Sequence, residues 1–177
     1  MPAALLRAEL ARVRATLGAA VTAGADLPTP LANATPAEAA DFAPFHRHYL
    51  AHQRAMAAGI APLRAAVRTA LGRHSAALGQ LAALDAVMEQ ALAAREANLL
   101  ATVPVLLGKR FAQLLEAHRQ AREAAQPDDP AQWMQAGGWL ARFCADMQRV
   151  LLAELELRLL PVAGLLAALD KESTELQ

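Results

Sequence analysis

From Phe42 to Leu71 the chain reads FAPFHRHYLAHQRAMAAGIAPLRAAVRTAL, with apolar residues at Phe42, Phe45, Tyr49, Met56, Ile60, Leu63, Val67 and Leu71. Steps of three, four or their sum trace one face of an α-helix. The stripe skips one turn, where the register puts His52. Arg47, Arg54 and Arg68 share the opposite side, Arg64 lies on its flank, and no acidic residue occurs between Asp41 and Asp85. The pattern predicts an amphipathic helix from about Pro44 to Gly72, with a basic outer face and a histidine at the edge of its core.

The same period recurs on either side. Leu6, Leu10, Val13, Leu17 and Val21 predict a first helix over Ala3–Ala23, stopped by Gly24. The stretch from 25 to 41 is a proline-rich linker, and within it Thr35-Pro36-Ala37-Glu38 has the form of a capping box. Ser75 is a natural N-cap for a third helix from Ala76 to about Ala124. Its expected core stripe is Leu81, Leu84, Met88, Leu92, Leu99 and Val103, resuming through Leu107, Phe111, Leu114 and His118. Together, 42–125 form a long helical hairpin. Residues 126–130 are a loop in which Asp129 caps the turn that Pro130 opens. Gly137-Gly138 breaks the chain before C-terminal helices within 131–170, patterned on Leu140, Phe143, Met147, Val150 and Leu151, and 171–177 is expected to fray. AELELRLL alternates as a strand would, but its helix-favouring residues decide for helix. Pro62 falls inside a stripe that keeps register, so a kinked continuous helix is expected there. Pro104 and Pro161 fit a bend or a break equally. The expected fold is all-α: one domain, a bundle of four to five long, partly proline-kinked antiparallel helices.

Composition sharpens this picture in one respect. The chain is 55% hydrophobic but only 4% aromatic, so Ala and Leu carry the core. Small side chains bury little area each, which favours completion of the core by a second subunit. Seventeen basic and seventeen acidic residues cancel, so net charge draws the chain to neither nucleic acid nor an anionic membrane. Eight arginines against four acids up to Gly79, and nine basic residues against thirteen acids afterwards, suggest that the basic second helix lies against acidic ones. Cys144, the only cysteine, excludes an internal disulfide and suits a reducing compartment; its apolar setting, WLARFCADM, fits an inert thiol. The N-terminus lacks a signal-peptide pattern. The most apolar run, Val150–Leu169, is interrupted by Glu154, Glu156, Arg158 and Pro161, so no transmembrane segment is expected. Cytoplasmic localisation is the default.

No catalytic motif emerges: there is no phosphate-cradling glycine loop, no Gly-x-Ser-x-Gly and no specific Cys–His pattern. His48 and His52 stand at i and i+4, the spacing that brings two imidazoles together, while His46 points about 200° away. Asp85, Glu89 and Glu96 form an acidic row on the next helix. If the two rows met, His48, His52, Asp85 and Glu89 would offer a two-His, two-carboxylate site for a divalent metal; the Glu-x-x-His signature of di-iron bundles is absent. The competing reading is a hydrogen-bonded His/Arg/acid network. Arg95 interrupts the third helix's stripe and is expected to be partly buried with an acidic partner; anion binding by Arg47, Arg54 and Arg95 is the alternative. A basic face without interleaved exposed aromatics argues against nucleic acid as a partner.

The runs DFAPFHRHYLAHQRAMAAGIAPLR, LAALDAVMEQALAAREANLLATVPVLLGKRF and WLARFCADMQRVLLAELELRLLPVAGLLAAL resemble an uncharacterised bacterial family, domain-of-unknown-function family three-three-four-eight, over roughly residues 1–170. The resemblance implies no assigned activity. It suggests gene neighbours of MotA-like and OmpA-like envelope proteins, hence a cytoplasmic accessory of an envelope complex, and family members with a further N-terminal segment. The matching positions that are not plainly core are His48, His52, Arg54, Asp85, Glu89, Arg95 and Glu96.

The expected function is a non-enzymatic helical scaffold or adaptor. It would self-associate, most simply as a dimer, and dock a protein partner, with Arg47, Arg54, Arg68, Arg95 and Glu96 as the partner or ion-pair face. A metal-binding bundle or metal-dependent enzyme built on the His/carboxylate cluster is the alternative; no other cofactor is expected.

Overall fold

A computed structural model describes residues 3–23, 27–28, 35–122 and 128–175. The described residues are 89% helical, and no strand occurs among them. Helices α1 (Ala3–Thr22), α3 (Ala43–His74), α4 (Ala76–Ala121) and α5 (Trp139–Glu175) build the bundle; α2 (Pro36–Ala39) is a single turn, and Pro130–Gln132 a turn of 3-10 helix. The expected stop at Gly24, and the chain from 123 to 127, lie outside the described residues, as does part of the linker.

Local signals set the boundaries. Thr35 and Glu38 close a reciprocal capping box around α2, and Asp41 accepts the Ala43 N–H at 2.9 Å just before α3. The Ser75 hydroxyl accepts from the Leu78 N–H, turning the chain in one residue between α3 and α4. Gly137 adopts φ 86°, a left-handed conformation that favours glycine. At Gly138 an added Cβ would come within 2.1 Å of the Trp133 carbonyl oxygen, so the expected Gly-Gly break is sterically required. Pro62, Pro104 and Pro161 all lie inside helices that continue past them, and α5 runs on to Glu175, into the tail expected to fray.

Successive long helices are antiparallel. Arg7 and Arg14 of α1 face Asp170 and Glu156 of α5, while Arg110 of α4 faces Asp146 of α5. α3 and α5 pack together in the middle, and each also packs on α1 and α4. The core follows the predicted stripes of α1, α3 and α5: Leu6, Val13 and Val21; Phe45 through Leu71; Leu140, Phe143, Met147 and Leu151. Phe42, Phe45, Phe111 and Phe143 make an aromatic cluster between α3, α4 and α5. Cys144 is buried, and burial pushes its thiol up to about 11, which keeps it protonated and unreactive at neutral pH.

The third stripe is corrected. Leu84, Met88, Leu92 and Leu99, expected in the core, are exposed, as is Val87. Only the ends of α4 are sealed, by Leu78 and Ala82 on one side and Leu107, Phe111, Leu114 and Leu115 on the other. Periodicity marks a face as apolar; it does not say what covers it.

Candidate functional site

Along the middle of α4 a groove opens between α3, α4 and α5. One section, of 510 Å³, is lined among others by Ile60, Leu92, Arg95, Leu99, Leu157 and Arg158. The next, of 390 Å³, shares Arg64, Leu92, Glu96 and Pro161 with it and continues along Leu84, Met88 and Gly164. Leu157, on the α5 wall, is exposed, so both walls carry uncovered leucines. At 46 residues, α4 is about 69 Å long; it stands as a ridge beside the groove.

Glu154 lines the floor of this groove. It is 4% exposed and the one buried charged residue among the described residues. A carboxylate taken out of water needs donors and a counter-charge, and Glu154 has both. Tyr49 donates its hydroxyl at 2.5 Å, Gln53 donates from Nε2 at 3.0 Å, and Arg158, one turn along α5, donates from Nε at 2.8 Å. Burial first, and the Glu154 hydrogen bond second, push the Tyr49 phenol well above its ordinary range, so it remains a donor. Sequence reasoning placed Tyr49 in the apolar stripe and treated Glu154 and Arg158 only as interruptions of an apolar run. The signal was there: two opposite charges at i and i+4, set among residues otherwise patterned for the core.

A second network pins the α3–α4 hairpin. Arg64 grips Asp85 with two bonds, at 2.9 and 2.6 Å, and reaches Glu89 at 3.1 Å. Arg68 bonds Asp85 from Nε at 2.6 Å and Glu89 at 2.7 Å. The basic row thus meets the acidic row within one chain, and Arg68 turns inward from the outer face on which it was expected. The Arg64 hydrogen bonds hold the Asp85 carboxyl below its ordinary 3.8, against the effect of burial. A depressed carboxylate contributes stability above its unfolded value and loses it as pH falls through the folded one. Asp85→Asn is therefore expected to lower unfolding free energy by about 1–3 kcal/mol at pH 7, with the deficit shrinking below pH 3.8. Urea midpoints for both proteins across pH 7 to 2.5 check this; a deficit constant with pH would refute it.

The hairpin register separates the residues of the metal reading. His48 and His52 do meet, their rings 4.6 Å apart, but Asp85 and Glu89 sit opposite Arg64 and Arg68. His52 lies twelve residues before Arg64, about 18 Å along the helix. Among the described residues no group of three or more His, Cys, Asp or Glu is placed to hold a metal. Arg47 and Arg54 are exposed, and so is Arg95, contrary to its expected partial burial. Glu96 is 57% exposed, its nearest cation being Arg158 at 3.9 Å. At the far end of the bundle Asp128 accepts from His118 at 3.0 Å and Trp133 Nε1 at 2.9 Å and pairs with Arg122. That cluster ties α4 to the start of the last segment.

The architecture is thus that of an all-α bundle with one incompletely covered helix. The chain belongs to the family described as "Protein of unknown function (DUF3348)", which matches residues 1–171. No curated protein and no solved structure matches it. Among the described residues one helix, α4, is long and apolar enough to cross a membrane by length and composition, with a window of mean hydropathy 1.2 that is 11% buried; the apolar run of α5 that the sequence drew attention to does not meet that test.

Proposed function

We propose that this protein is a non-enzymatic helical scaffold that self-associates and docks a partner protein through helix faces. The observation that carries the reading is the uncovered apolar strip of Leu84, Val87, Met88, Leu92 and Leu99 on α4 beside Leu157 on α5. Contiguous exposed apolar surface rimmed by charge is the mark of an interaction site, and an amphipathic helix laid into such a groove is a recurring mode of recognition. Arg47 and Arg54, exposed and without an ion pair among the described residues, give the outer face of α3 a charge by which a partner could be selected. A cytoplasmic accessory of a larger assembly accords with this reading.

Light scattering across a concentration series tests it. The native chain is expected to form a defined assembly larger than one copy, and Leu92→Glu/Leu99→Glu to shift it to single chains with unchanged helical circular dichroism. A native chain that stays monomeric up to high micromolar concentration would count against the proposal.

A further inference from the structure

We infer that the occupant of the α4–α5 groove is a second copy of this chain, with the two α4 helices antiparallel about a two-fold axis that passes between Arg95 and Glu96. The inference rests on the scaffold reading and specifies its partner and geometry.

The uncovered stripe has a regular spacing. Leu84, Arg95 and Leu106 are spaced eleven residues apart, and Met88, Leu92 and Leu99 fill the intervals. An eleven-residue period nearly matches the natural turn of a helix, so these side chains stay on one face of a long helix. Leu84, Leu92, Leu99 and Leu106 are all exposed, as is Met88. The stripe is apolar except at its centre, where Arg95 stands next to Glu96. Laid antiparallel on a second copy, it sets Leu92 opposite Leu99, Met88 opposite Val103, and Arg95 opposite Glu96, each pairing made twice. Self-complementarity of this kind is what a two-fold interface requires. Arg95 has no ion pair among the described residues, so the opposing Glu96 supplies what the single chain does not. The ridge of α4 lying beside a groove of matching direction lets each copy insert its ridge into the other's groove.

Gly164 is an independent pointer. A glycine inside a helix weakens it, yet nothing lies within 4 Å of a Cβ built there, so the fold of one chain gives no reason for it. It lines the groove opposite Leu84 and Met88. There the absent side chain permits close approach of the second copy's helix near Val105 and Leu106, both exposed.

A lipid surface is the competing occupant for an exposed apolar helix. The charges of Arg95 and Glu96 at the middle of the stripe disfavour it, because hydrocarbon offers them no partner.

Sedimentation equilibrium of the full chain and its charge variants decides the matter. Arg95→Glu and Glu96→Arg are each expected to weaken dimerisation at least about tenfold, and Arg95→Glu/Glu96→Arg to restore it to within about threefold of the native value. Gly164→Leu is expected to weaken the dimer without lowering the helix content of the chain. In a Cys144→Ser background, Leu92→Cys/Leu99→Cys should form an intermolecular disulfide under mild oxidation while Leu92→Cys alone does not. A dimer indifferent to both single charge reversals, or cross-linking by Leu92→Cys alone, would overturn this geometry while leaving the scaffold reading intact. A chain monomeric in solution that co-sediments with phosphatidylcholine/phosphatidylglycerol vesicles would overturn both in favour of the lipid surface.

Discussion

Arg158→Met is expected to destabilise the protein by about 3 kcal/mol at neutral pH, at the lower end of the range for breaking a buried ion pair. Glu154 keeps its Tyr49 and Gln53 donors, but its charge, 4% exposed, is left without a cation. Arg158 is itself 19% exposed, which tempers the loss. For a chain of this size the change lowers Tm by about 6–12 °C. The cost lies in the stranded charge more than in the lost contact, so Glu154→Gln added to Arg158→Met is expected to recover more than half of it. The amide keeps a carbonyl oxygen for the Tyr49 hydroxyl and removes the charge. Urea unfolding of the two single variants and the double variant gives the coupling directly. Strictly additive losses would mean that Glu154 and Arg158 do not act as a pair. Because the network forms the floor of the groove, the same variants would alter the surface on which the proposed assembly depends, and their stability is best compared at one fixed protein concentration.

The bundle was legible in the sequence because helix faces repeat with a period that composition does not disguise. Phe45 to Leu71 and Leu140 to Leu151 are buried as their spacing required, and Ser75, Thr35 and Asp129 cap where their chemistry said they would. What the sequence withheld was pairing. The Asp85/Glu89 row was visible, and so were His48 and His52, but the register depends on the one-residue turn at Ser75, which sets Arg64 and Arg68 against the acids instead. The same limit explains Arg95: its place on an apolar stripe implied burial only if the stripe was covered. The Glu154 network was harder still, since Tyr49 and Gln53 lie more than 100 positions away in the chain and nothing local announces them.

Phe143→Ala is expected to cost about 4 kcal/mol, the largest loss from any single truncation argued for this fold. Phe143 is fully buried and stands edge-on to three rings at once: Phe42 at 6.1 Å, Phe45 at 5.4 Å and Phe111 at 5.1 Å between centroids. Edge-to-face pairs add to area burial, and among the described residues no other aromatic cluster joins α3, α4 and α5. Truncation leaves a cavity that the surrounding rings of Phe42, Phe45 and Phe111, held on packed helices, cannot collapse to fill. Phe143→Leu, which restores most of the volume without the ring contacts, should cost less than half as much. Leu92→Ala supplies the contrast: at 46% exposure it removes little from the core of one chain, so under dilution to monomer its stability should stay within about 0.5 kcal/mol of native. Chemical denaturation at low protein concentration separates the three. A Phe143→Ala loss below about 1.5 kcal/mol would place the centre of stability elsewhere. A Leu92→Ala loss that persists at the lowest concentrations would mean that the α4 stripe is folded into the single chain after all, and the surface offered for self-association would be lost with it.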